Sequence, residues 1–97
     1  MSKAEPIVHV DNEHVRVTEW RFAPGAATGW HRHDYDYVIT SVVGGQVEIV
    51  GADRERTPFT MEPGQSYFRE AGVEHDVVNG VGGELRFVEV ELKSRAG

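Results

Sequence analysis

His31 and His33 stand on alternate residues, and a third histidine, His75, returns 42 positions after His33 inside a second patterned stretch. In an extended strand the side chains at i and i+2 leave the same face, so an H-x-H pair can aim two imidazole nitrogens at one point. With His75 the three residues read as a divided metal site. Three neutral imidazoles leave the full charge of a divalent cation in place and fill about half of an octahedral shell. The open positions invite an anion. Fe, Mn, Ni, Co, Cu and Zn in their divalent states all accept imidazole, so ligand type does not choose among them. Three arginines, Arg21, Arg69 and Arg86, lie on strand-like segments and could each hold a substrate carboxylate through a bidentate fork, or pair with a glutamate on the surface.

The elements that must position these groups are short strands. Pro6 to Val10 and His14 to Phe22 are extended runs around Asp11-Asn12-Glu13, a turn signal. His9 and His14 flank that turn and are read as surface residues. After Ala23-Pro24-Gly25 the region Thr28 to Val43 is rich in Tyr, Val, Ile and Thr, and ends at Gly44-Gly45, which reads as a hairpin turn with Gln46 to Val50 as its return strand. Thr57 to Met61, Ser66 to Arg69, His75 to Asn79 and Glu84 to Leu92 follow, the last two joined as a hairpin across Gly80-Val81-Gly82-Gly83. No segment sustains a 3.6-residue apolar period. Eight or so strands at this spacing predict an all-β, single-domain barrel over residues 1–97 with little or no helix. A regular strand would put His31, His33, Tyr35 and Tyr37 on one face, with Asp34 and Asp36 solvated on the other; a bulge would let one of those aspartates supply a carboxylate. In the final strand Leu85 and Phe87 share one phase while Val88, Val90 and Leu92 share the other, which predicts a bulge there.

The histidines sit in a frame. Gly25, His31, His33 and Gly44 follow the spacing G-x5-H-x-H-x3-Y-x6-G over residues 25–44, and Gly64 to Asn79 reads G-x5-E-x-G-x2-H-x3-N. Together they resemble the two motifs of the cupin superfamily. In that resemblance Tyr37 stands where the family has a glutamate, and Glu70 where it has a proline. The implied fold is a small jelly-roll barrel, and the implied ligands are three of the family's four, His31, His33 and His75. Tyr37 then becomes a candidate to hydrogen-bond a metal-bound water or substrate, or to serve as a fourth ligand if its pKa falls. Glu70 becomes a candidate acceptor for a histidine N–H or a general base, or an exposed turn residue. Tyr35, like Trp20, Trp30, Tyr67 and Phe87, suits pocket lining. Asn79 reads as structural, holding a turn.

Composition narrows the partners. The chain has 97 residues, 39% of them hydrophobic, and a formal net charge of −6, which fits one small domain whose apolar surface a second subunit would help to bury. A homodimer is expected. The acidic balance and the absence of a basic run argue against nucleic acid and anionic membranes. No cysteine is present, which excludes disulfides and thiolate chemistry, and the N-terminal residues carry no secretory pattern, so a cytoplasmic location is expected. Two functions fit: a metal-dependent enzyme acting on a small anionic metabolite by dioxygenase, isomerase, lyase or hydrolytic chemistry, or a non-catalytic module binding a small molecule or metal in the barrel. A barrel that has lost its metal is the third reading.

Overall fold

The computed structural model describes residues 2–80 and 82–93. Nine strands run in order as β1 (Glu5–Asp11), β2 (Val15–Phe22), β3 (His31–Arg32), β4 (Asp36–Val43), β5 (Gly45–Val50), β6 (Arg56–Met61), β7 (Ser66–Arg69), β8 (Glu74–Asn79) and β9 (Leu85–Leu92). The described residues contain no helix. Two antiparallel sheets pack face to face in jelly-roll fashion, one ordered β1-β2-β9-β4-β7 and the other β3-β8-β5-β6. The all-β reading therefore holds. Inward residues of both layers, among them Phe22, Val47, Met61, Val77, Leu85 and Phe87, form the core. Phe22 and Phe87, on paired strands, bring their rings to 5.4 Å, and burying a side chain of that size stabilises the fold by roughly 1.5–3 kcal/mol.

Two expected hairpins are crossings between layers. β4 bonds to β7 and β9, whereas β5 bonds to β6 and β8, so Gly44 carries the chain from one sheet to the other. A Cβ there would lie 2.5 Å from the Met61 carbonyl and 2.6 Å from the Pro63 ring, which is why glycine fits this passage. Residues 80–83, with Val81 outside the described residues, likewise lead from β8 in the smaller sheet to β9 in the larger. The turn signals were real, but a turn between packed layers uses the same residues as a hairpin. The first hairpin is as expected: β1 pairs with β2, and Asn12 Oδ1 accepts from the backbone N–H of His14 and Val15 at 2.8 and 2.9 Å.

The final strand also departs from expectation. β9 pairs with β2 in unbroken register from Val15↔Leu92 to Phe22↔Leu85, and the bulge lies on β4, between Ser41 and Val43. Leu85, Phe87 and Glu89 are buried in one phase. Val88, Val90 and Leu92 take the other, where the outer face of the larger sheet carries an apolar row beside the charged Glu19, Arg21 and Arg86. One outward row crosses it as Val10, Val17, Val90, Val38 and Phe68, and Phe68 is 54% exposed.

Candidate metal centre

Backbone pairing brings the histidines together. His31 on β3 lies directly opposite His75 on β8. The strand stops after Arg32, and the chain bends before β4, so His31 to Tyr37 do not form the regular run expected of them. Across that bend, the His33 N–H donates to Val73 O at 2.9 Å and Gly72 N–H donates back to His33 O at 2.7 Å. The bend is thus tied to the loop before β8. Asp34 is exposed, and Asp36 Oδ1 accepts from Ala71 N–H at 2.8 Å; neither supplies the carboxylate that a bulge would have allowed.

The three imidazoles converge through one atom each. His33 Nε2 lies 3.0 Å from His31 Nε2 and 3.2 Å from His75 Nε2, and these residues form the cluster able to hold an ion among the described residues. Two nitrogens bound to one ion at about 2.1 Å and at right angles lie about 3.0 Å apart, so the spacing suits adjacent positions of a metal shell. Two of the rings, His33 and His75, are also in the right protonation state. Burial, followed by the neighbouring His31, pushes both His33 and His75 down to about 4, leaving their rings neutral near pH 7. His31 Nδ1 donates to Gly29 O at 2.8 Å, which leaves its Nε2 as the lone-pair nitrogen. That carbonyl is held in turn, since Gly29 N–H donates to Asp76 Oδ1 at 3.0 Å.

A cavity of about 270 Å³ opens beside the histidines, lined mainly by apolar side chains such as Trp20, Ile39, Phe59, Met61 and Phe87. Tyr37 is fully buried on its wall and stacks on His33 with ring centroids 3.9 Å apart and planes 18° from parallel. Burial and the charge of Glu89 push its phenol up to about 12, against the pull of Arg69, which keeps Tyr37 protonated in the metal-free protein. Its hydroxyl is buried with no hydrogen-bond partner among the described residues. A phenol so placed can hydrogen-bond a group in the cavity.

The arginines separate by strand phase. Arg69 lines the cavity, its guanidinium 5.7 Å from the Phe59 ring centre and 5.9 Å from that of Tyr67. Its Nη1 donates to the Phe68 carbonyl at 2.9 Å, and no carboxylate pairs with it among the described residues. Arg21 and Arg86 face each other on the outside of the β2–β9 pair, where Glu19 Oε2 lies 2.8 Å from Arg21 Nε and 3.3 Å from Arg86 Nε. They are removed as candidate substrate anchors, because their phase is opposite to that of Trp20 and Phe87. Tyr35 is half-buried outside the cavity lining, and Glu70 is exposed in the turn after β7. Glu70 is therefore a turn residue here. Asn79 is buried, and its amide donates to Gly83 O at 2.7 Å and Ala23 O at 3.3 Å, a structural role as expected.

Glu89 is the residue sequence reasoning missed. It is 7% exposed, lines the cavity, and its Oε1 lies 3.9 Å from His33 Nδ1. Burial, then the charge of Glu91, pushes its carboxyl up to about 7, opposed by a hydrogen bond from Trp20 and by Arg16. The signal was its phase: Glu89 continues the inward series Leu85, Phe87.

Three histidines converging from two paired strands and the bend beside them in a jelly roll define a class, and similarity to known proteins agrees. A description of the cupin domain matches residues 18–91, and the chain belongs to the cupin family. It is 50% identical over 91 residues, covering 94% of this chain and 95% of its relative, to the beta-alanine degradation protein BauB of Pseudomonas aeruginosa. Among solved structures, a cupin domain from Bordetella pertussis superposes with a TM-score of 0.92 at 44% identity, over 96% of each chain. A double-stranded β-helix protein from Klebsiella pneumoniae shares the fold, with a TM-score of 0.78 at 21% identity over 98% of this chain and 81% of its own.

Proposed function

We propose that the protein is a metal-dependent enzyme acting on a small carboxylate. The observation that carries this reading is the pairing, inside one cavity of about 270 Å³, of three converging histidine nitrogens with Arg69, a guanidinium lacking a carboxylate partner among the described residues. His31, His33 and His75 would hold a divalent ion. Such an ion supplies Lewis acidity or activation of a small oxygen species, within dioxygenase, isomerase or lyase chemistry. Arg69 binds the substrate carboxylate, and the Phe59 and Tyr67 rings hold its guanidinium in place. The Tyr37 hydroxyl donates to a substrate oxygen, while the apolar walls exclude water and strengthen each polar contact. The name of the P. aeruginosa relative suggests the substrate class: β-alanine, or a three-carbon acid formed from it.

The chain further associates as a homodimer, a reading supported by the apolar row on the outer face of the larger sheet. Its members include Val17, Val38, Val90 and Phe68.

The test is to prepare tag-free protein, measure its content of Fe, Mn, Co, Ni, Cu and Zn, and follow turnover of β-alanine and three-carbon acids by NMR in air and under nitrogen. Near-stoichiometric metal together with turnover is the expected result. Metal or ligand binding without turnover of any of these acids would favour the binding-module reading instead.

A further inference from the structure

A carboxylate buried in a small core is expensive unless something uses it. Glu89 is such a group. It points inward from the middle of β9, between Phe87 and Glu91, in a layer where an apolar side chain would pack well. What it faces is the back of a ligand. His33 presents Nε2 to His31 and His75, and its other nitrogen, Nδ1, lies 3.9 Å from Glu89 Oε1. The imidazole therefore spans the gap between the point where the three histidines meet and the Glu89 carboxylate.

At 3.9 Å the carboxylate acts on His33 through its charge and not through a formed hydrogen bond, whereas the neighbouring histidine has a direct acceptor. His31 Nδ1 is held by the Gly29 carbonyl at 2.8 Å. The backbone around His33 bonds to Gly72 and Val73, and Glu89 is the acceptor found beside the His33 Nδ1. Tyr37 lies flat against the same ring and so restrains its tilt, but a stacked ring does not determine which nitrogen carries the proton. A carboxylate beside one nitrogen does.

We propose that Glu89 is a positioning residue of the metal centre, its carboxylate fixing His33 as the Nδ1–H tautomer and leaving Nε2 free to bind the ion. This rests on the reading of His31, His33 and His75 as metal ligands. The group is distinct from the ligand set, since the cluster of converging atoms comprises the three histidines. A negative charge behind an imidazole also makes it a stronger donor to a cation. Trp20 and the Arg16 charge favour the ionised form of Glu89, against the burial that opposes it.

The experiment is a Co(II) titration of wild type, Glu89→Gln, Glu89→Leu and His75→Ala, followed by visible absorption and competition with a chelator, with melting temperatures of the metal-free forms measured at pH 8. Wild type should bind Co(II). Glu89→Leu should bind about 10–100-fold more weakly, the usual effect of losing an outer partner of a ligand. Glu89→Gln, which keeps an acceptor oxygen without the charge, should fall between them. Both should melt no lower than wild type, so the loss is not one of folding. Nitrogen shifts of His33 in the zinc-loaded protein should report Nδ1 protonated in wild type and a mixture of tautomers in Glu89→Leu. Should Glu89→Leu fail to fold, Glu89→Gln carries the test alone. Affinity within twofold of wild type in the folded variants, with an unchanged His33 tautomer, overturns the role of Glu89 and leaves the three-histidine site standing. No Co(II) binding by wild type overturns both.

Discussion

The two walls of the cavity offer different chemistry. The smaller sheet brings His31 and His75 on adjacent strands, with His33 on the bend beside them, against apolar Ile49, Phe59 and Val77. The larger sheet brings the charged groups, Arg69 from β7 and Glu89 from β9, with Tyr37 between them on β4. Each wall rests on one register pair, His31 opposite His75 in the smaller sheet and Tyr37 opposite Arg69 in the larger, but the first presents metal-binding nitrogens and the second charge and a hydroxyl. Holding a metal and recognising an anion should therefore be separable by mutation.

The largest expected effect breaks the first wall. His75→Ala removes one of three ligands from a site whose remaining two, His31 and His33, lie 3.0 Å apart, and metal affinity should fall by at least about 100-fold, beyond the range of an outer-partner loss. Chelator competition reads this directly. Binding of a three-carbon carboxylate should weaken less, because Arg69 is untouched. The complementary change, Arg69→Ala, should leave metal content alone and raise the KM or Kd for the carboxylate about 10–100-fold, the worth of a charge-assisted hydrogen bond of 1.5–3 kcal/mol. If Arg69→Ala instead strips the metal while the carboxylate binds as before, the division between the walls is wrong.

The same division explains how much was legible in the sequence. The histidine wall was readable because its information is local: an i and i+2 spacing that survives the bend after Arg32, and glycines marking the turns around it. The charged wall was not. Arg21, Arg69 and Arg86 look equivalent along the chain, and they separate only by phase, Arg69 aligning with Tyr67 while Arg21 and Arg86 oppose Trp20 and Phe87. Glu89 was hidden because apolar residues stand in both phases of β9, Leu85 and Phe87 in one and Val88, Val90 and Leu92 in the other, which looked like a bulge. Pairing between sheets was equally opaque at Gly44-Gly45, where a turn signal marks a crossing between layers. A regular run from His31 to Tyr37 failed for a related reason. The backbone bonds of His33 to Gly72 and Val73 come from a segment about forty residues away.

A smaller effect sharpens the comparison through pH. In the metal-free protein His33 and His75 are held down at about 4 by burial, so the unfolded chain takes up their protons first, near pH 6.5. Their contribution to stability is complete above that value and is lost as pH falls towards 4. Glu89, pushed up to about 7 by burial, works in the opposite sense: the folded protein takes its proton first, so its contribution grows as pH falls from 7 to about 4.5. Two groups outweigh one, and the melting temperature should drop on acidification from pH 7 to pH 5 by at least about 5 °C, given about 4–8 °C per kcal/mol for a domain of this size. Glu89→Gln should melt higher at pH 8 and fall more steeply, since the opposing group is gone. A flat wild-type profile, or an unchanged slope in the variant, would mean that the two walls do not titrate as opposed.

The smallest effect lies outside the cavity, where Arg21 and Arg86 serve as controls. Both pair with Glu19 on the outer face, in the phase that points away from Trp20 and Phe87. Arg86→Ala removes one cation from a largely covered carboxylate but leaves Arg21 on it at 2.8 Å, so stability should fall by about 1 kcal/mol, well short of the roughly 3–5 kcal/mol for stripping a buried charge of its partner. Carboxylate binding and metal content should both stay within twofold of wild type. That near-silence is informative because Arg86 lies next to Phe87, a cavity residue, and only strand phase separates them. If Arg86→Ala weakened carboxylate binding as much as Arg69→Ala, the charge of the outer face would reach the cavity through the sheet. Recognition of the anion would then belong to the net field of the larger sheet and not to one guanidinium.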